Sequence, residues 1–235
     1  VLLLAAGAAL ALAWALVAVA HGGVALHERV LLPHHESGAA TLALGFASWM
    51  TMMIAMMLPP LVPWILVVAA ITDRPRKPGA LGPAGAFVAG TFAAWIPFAL
   101  AGAIAQRALA HVLPLDLAGA TRYAAASALI LAGTYELSPL RAACLRHCRS
   151  PIGFFLSRWR DGPMGALELG LRHGAFCLGC CWALMALCFA LGAMNVMWMA
   201  MLTLVICVEQ MAPHGERWSR VVGVSLVVCG TLVLS

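Results

Sequence analysis

The chain has 235 residues, 63% of them hydrophobic and only 10% charged, with a mean hydropathy of +0.96. Soluble domains carry about 25% charged residues, so these numbers exclude an ordinary soluble domain and point to several spanning helices of about 20 apolar residues each. The formal charge of +5 follows loop topology, as its distribution below indicates, and carries no expectation of nucleic-acid binding.

Val1–Ala20 reads as a first spanning helix rather than the apolar core of a signal peptide, because no small-residue cleavage site leads into a soluble domain. His21–Ala40 is a polar loop holding His21, His27, Glu28, Arg29, His34, His35 and Glu36. Thr41–Ile71 is a second apolar region. At 1.5 Å per residue it measures about 46 Å against ~30 Å of hydrocarbon, too long for one straight span. Pro59, Pro60 and Pro63 predict a kink or break within it. A charged Pro/Gly turn follows over Thr72–Leu81, then a third helix over Gly82–Gln106 and a fourth over Leu117–Glu136.

Leu137–Leu169 is the one long polar stretch, a cytoplasmic loop with a short amphipathic helix on the membrane surface. Gly170–Gly192 is the fifth helix, Ala193–Glu209 the sixth, hairpinned to it, and Arg217–Leu234 the seventh. The expected fold is all-α: a single integral membrane domain, a polytopic bundle of about seven transmembrane helices with the second broken at its prolines. With a cytoplasmic N-terminus, eleven Lys and Arg fall inside (Arg74, Arg76, Lys77, Arg141, Arg146, Arg149, Arg158, Arg160, Arg172, Arg217, Arg220) and three outside (Arg29, Arg107, Arg122). That bias sets the topology and puts the chain in a bacterial inner membrane, with the histidine loop outside.

The eight cysteines do not form a disulfide framework, since most lie in apolar helices or the cytoplasmic loop. They concentrate in the fifth helix. With Cys177 at 0° and about 100° per residue, His173 falls near about −40°, Cys180 at −60°, Cys181 at +40°, Cys188 at +20° and Met185 at +80°. Soft-metal ligand types therefore share one arc of roughly 140°. Thiolates and thioethers select Cu(I) or Zn, and thiols three or four positions apart on a helix can share one ion. Buried cysteines also serve as plain packing, and Gly170 with Gly174 makes a small-xxx-small contact face.

The second helix carries Met50, Met52, Met53, Met56 and Met57. With Met53 at 0°, Met50, Met56 and Met57 lie within about 60° of it, and Met52 lies outside at about −100°. Neutral thioethers suit Cu(I) because they need no deprotonation, though methionine is also a flexible core filler. Met194, Met197 and Met201 share a face of the sixth helix, which a hairpin would turn toward the cysteines. Glu209 at its inner end, like Glu136, is a carboxylate at membrane depth and hence a functional candidate. The outer histidines His27, His34 and His35 are candidates for capturing Cu(II) or Zn. Cys144 and Cys148, one helical turn apart beside His147, are candidates for a metal relay. Phosphate-loop, dinucleotide-binding, zincin and nucleophile-elbow motifs are missing from the sequence. The first of these absences argues against an ATP-driven pump in this chain.

Trp49–Pro59 (Trp-Met-Thr-Met-Met-Ile-Ala-Met-Met-Leu-Pro) and Gly170–Met185 (Gly-Leu-Arg-His-Gly-Ala-Phe-Cys-Leu-Gly-Cys-Cys-Trp-Ala-Leu-Met) resemble a bacterial domain-of-unknown-function family described as predicted metal-binding integral membrane proteins. Gly192-Ala193-Met194-Asn195, Glu209, and Cys144 with Pro151 carry the same resemblance, which covers roughly Leu42–Gln210. It implies a helical membrane fold and metal binding, but no established activity. Gln210 stands where the family pattern suggests a basic residue.

The leading expectation is a membrane protein that handles a soft metal, copper first and zinc as the alternative. Its metal ligands would come from His173, Cys177, Cys180, Cys181, Met185, Met50, Met53, Met56, Met57, Met194 and Glu209, with Met53, Met56 and Met57 facing Cys177 and Cys181. Outer histidines would collect the metal, methionines pass it, and cysteines in the inner half hold or release it to a metal-chaperone or membrane-complex partner. Two other classes stay open: a thiol oxidoreductase using Cys177 and Cys180 with Cys144/Cys148 as a second pair, and a helical scaffold or assembly subunit of a larger membrane complex.

Overall fold

A computed structural model describes residues 38–72, 81–112, 118–190 and 196–235. These form eight α-helices, with no strand among the described residues. They are α1 (Gly38–Thr72), α2 (Leu81–Val112), α3 (Ala118–Glu136), α4 (Pro139–Cys148), α5 (Pro151–Arg158), α6 (Pro163–Ala190), α7 (Val196–Met211) and α8 (Gly215–Leu234). The expected first helix, the outer histidine loop and Met194 lie outside the described residues.

Among the described residues, four stretches are long and apolar enough to cross a membrane: Ala39–Thr72, Gly82–Ala108, Pro163–Cys188 and Gly215–Leu234. Of the other two expected spans, α7 is shorter, at 16 residues, and α3 is less apolar and carries Arg122. The expected break in the second helix does not occur. α1 runs as one helix of 35 residues through Pro59, Pro60 and Pro63. Each proline removes one backbone donor, but Pro59 and Pro60 are buried, and Leu61, Trp64 and Val68 lock the following turns into an aromatic cluster with Phe87, Phe154 and Phe155. Neighbouring helices thus keep the chain helical where sequence alone favours a break.

The most extensive helix pair is α2 with α6. Glycines set their approach: a Cβ on Gly174 would come within 2.7 Å of the Ala94 Cβ, and one on Gly170 would strike the Phe87 carbonyl. In the space this leaves, Thr91 Oγ1 lies 3.0 Å from the Phe87 carbonyl and 3.2 Å from that of Gly170, sharing its proton between them. The small-residue face read from Gly170 and Gly174 is therefore a real contact surface. α3 and α8 pack by the same rule, with Gly215, Ser219, Gly223 and Gly230 buried along α8.

The long polar stretch forms α4, α5 and the first turns of α6, which begins at Pro163 rather than Gly170. Ser138 caps α4, its Oγ accepting from the Arg141 amide at 3.2 Å, and Pro139 opens the helix. α4 buries Arg141, Leu145 and Cys148 and runs along α6, where His147 stacks on Phe176 with ring centroids 4.2 Å apart. α7 leans on α1 more than on α6. It turns Met199, Leu202, Thr203, Ile206 and Glu209 inward at helical spacing.

Candidate metal centre

The site is built where sulfur-bearing side chains of α1 and α6 meet. Cys177, Cys180 and Cys181 occupy successive inward positions of α6, and all three are buried. The Cys180 and Cys181 thiols reach back to the Cys177 carbonyl, at 3.1 and 2.7 Å. Across the interface α1 supplies Met57. Its Sδ lies 3.7 Å from the Cys177 Sγ and 3.7 Å from the Cys181 Sγ. Two sulfurs bonded to one tetrahedral ion at about 2.3 Å would be about 3.8 Å apart. The distance of the Met57 sulfur from each of the two thiols therefore fits a shared soft ion. Among the described residues no group of three His, Cys, Asp or Glu side chains is gathered for an ion. It is the thioether that completes the donor set.

A second sulfur contact lies beside the first. Cys180 Sγ is 3.7 Å from Cys148 Sγ on α4, and Gln210 Nε2 donates to the Cys180 sulfur at 3.6 Å. Contact with Cys180, together with burial, holds the Cys148 thiol well above the ordinary cysteine range, and burial raises that of Cys144 as well. Both thiols must therefore shed a proton to bind metal.

A buried ion cluster braces this region. Arg141 Nη2 lies 2.9 Å from Glu136 Oε2 and 2.5 Å from Glu209 Oε2, and all three side chains are almost wholly buried. The same guanidinium donates to Ser219 Oγ and, from Nε, to the Cys180 carbonyl at 3.1 Å. Arg149 donates to the Glu209 and Ala212 carbonyls, and Tyr135 Oη donates to the Gly179 carbonyl. Ends of α3, α4, α7 and α8 are thus tied to the cysteine-bearing turn of α6. Two carboxylates on one guanidinium leave Glu136 Oε1 and Glu209 Oε1 without a hydrogen-bond partner.

The remaining candidates divide. Met53 and Met56 are fully buried in the same cluster as Met57, Met185 and the cysteines, and Met50 packs at its edge. His173 sits one turn before Cys177 in an aromatic setting, its ring centroid 4.0 Å from that of Trp64 and 5.5 Å from that of Phe87. Glu209 is engaged by Arg141, not by the sulfurs. Met197 and Met201 face outward, 76% and 46% exposed, so the hairpin expectation for the described part of that face does not hold. The buried methionine of α7 is Met199. Sequence reasoning took Arg141 for a loop cation. The available signal was Glu136 and Glu209 themselves, since two carboxylates in apolar surroundings require a counter-charge.

Helical throughout its described residues, with long apolar helices and thiols that meet a thioether, the chain has the makings of a protein that handles a soft metal. A family model described as PpoB2, copper chaperone, matches residues 46–233, most of the chain, and the chain belongs to this copper chaperone family. No curated protein and no solved structure matches it.

Proposed function

We propose that the chain is a multi-pass protein of the bacterial inner membrane that binds Cu(I) through Cys177, Cys181 and Met57 and delivers it to a partner. The observation that carries this is the placing of one thioether 3.7 Å from each of two thiols in a buried setting. Two thiolates and a neutral thioether favour Cu(I) over the harder ions that prefer oxygen ligands. Membership of a copper chaperone family supports the same metal.

Membrane placement is supported by the four long apolar stretches and by large apolar side chains left outward-facing, among them Leu131 at 68%, Leu204 at 62% and Leu232 at 67% exposed. The arginine-rich end, with α4, α5 and the first turns of α6 and α8, faces the cytoplasm by the positive-inside rule, and the N-terminus is cytoplasmic. His27, His34 and His35, outside the described residues, serve as the outer collecting ligands. Copper is the cargo here, and the metal-chaperone or membrane-complex partner receives it.

The test is metal content. Copper and zinc are measured in purified protein after exposure to each ion, with wild type set against Cys177→Ser/Cys180→Ser/Cys181→Ser. Wild type retains copper and the triple variant does not. Equal, near-zero metal in both removes the binding claim.

A further inference from the structure

The contact between Cys148 and Cys180 joins two helices and is not needed by a site made of Cys177, Cys181 and Met57. Both thiols are buried, 3.7 Å apart. Cys180 Sγ also lies 3.1 Å from the Cys177 carbonyl, which the Cys181 thiol shares, so it adjoins both groups. On α4 the line of sulfurs continues outward. Cys144 lies one turn before Cys148 and is only partly buried. Its Sγ rests against α6 where Gly179 has no side chain, since a Cβ there would come within 2.8 Å of that sulfur. Gln210, a neutral donor on α7, holds the Cys180 sulfur from the other side.

Resting on the copper reading above, we propose that Cys180 and Cys148 form a second Cu(I) station, with Cys144 as its outlet, through which metal leaves toward the arginine-rich end of the bundle. Transfer proceeds by ligand exchange at constant Cu(I). The bond to Cys180 forms as that to Cys177 breaks, and the Cys180 proton passes to the released Cys177 thiolate. The bond to Cys148 then forms as that to Cys181 breaks, with the same proton exchange, while the Met57 thioether dissociates unchanged. No oxidant or reductant is required.

The experiment uses the full chain, purified in detergent without oxygen and loaded with one equivalent of Cu(I), and follows copper loss to a sulfonated Cu(I) chelator by absorbance. Cys148→Ser is expected to hold copper as wild type does but release it at least tenfold more slowly, while Cys229→Ser, at an exposed position on α8, releases it at the wild-type rate. Equal release from Cys148→Ser and wild type overturns the second station. A measurement independent of the folding of that variant is Cu(I) uptake, without competitor, by Cys177→Ser/Cys181→Ser. Retention of one weakly held equivalent supports the station, and no uptake overturns it. Wild-type protein that takes up no copper overturns the metal reading itself, which separates that failure from this one.

Discussion

The Sδ of Met57 on α1 lies 3.7 Å from the Sγ of Cys181 on α6, a contact between two buried sulfurs. The residues belong to helices far apart in the chain, each read from sequence as carrying a sulfur-rich face. Replacing Met57 with leucine keeps volume and apolarity, so stability is expected to change by less than about 1.5 kcal/mol. The thioether is lost, however. Changes one shell further out already cost about 10–100-fold in metal affinity, so Met57→Leu is expected to weaken Cu(I) binding by at least about tenfold, read by chelator competition. Met53→Leu, in the same cluster but outside the sulfur contact, is expected to bind nearly as wild type. Equal affinities for Met57→Leu and wild type would remove Met57 from the site.

Arg141 sets a different expectation. It holds Glu136 and Glu209 together in a buried setting, and removing one partner of such a group typically costs about 3–5 kcal/mol. Arg141→Met is expected to unfold at markedly lower temperature in detergent. Adding Glu136→Gln and Glu209→Gln to it is expected to restore part of the loss, because no buried charge is then left uncompensated. A melting temperature unchanged in Arg141→Met would show the cluster to be energetically idle.

The fold was most legible where a pattern lies within one helix. The spacing of Cys177, Cys180 and Cys181 places them on one face whatever surrounds the helix, whereas in the run from Met50 to Met57 the structure buries Met52, read as outside the face, and buries Met50 only in part. Rotation of one helix against another was not legible. A short connection between the fifth and sixth helices says they are neighbours in sequence, not which face α7 turns inward, and α7 in fact buries Met199 and exposes Met197 and Met201. The depth of α4 was hidden for the same reason. Arg141 read only as a loop cation, whereas it is drawn inside by carboxylates from two other elements. The prolines of α1 gave a local preference that packing around Trp64 overrides.

The outward direction of α7 makes its own expectation. Met197→Ser/Met201→Ser is expected to leave Cu(I) affinity within about twofold of wild type, since surface changes away from a site have small effects. A tenfold loss would show that this face takes part in binding after all.

Helix approach can be tested without touching a ligand. A side chain on Gly170 would meet the Phe87 carbonyl, and one on Gly174 would press on Ala94. Overpacking of this kind costs about 1–3 kcal/mol. Gly170→Val is expected to lower thermal stability and, because α6 carries the cysteines, to weaken copper binding with it, whereas Gly85→Ala, where a Cβ meets nothing within 4 Å, is expected to do neither. Unchanged melting of Gly170→Val would deny the close α2–α6 contact.

The most direct test is the X-ray absorption spectrum of the wild-type chain loaded with one equivalent of Cu(I). A Met57, Cys177 and Cys181 site gives a shell of sulfur alone, about three atoms at roughly 2.3 Å, which falls to about two, from Cys148 and Cys180, in Cys177→Ser/Cys181→Ser. A shell of nitrogen or oxygen, or the same sulfur shell with both cysteines replaced, would contradict it.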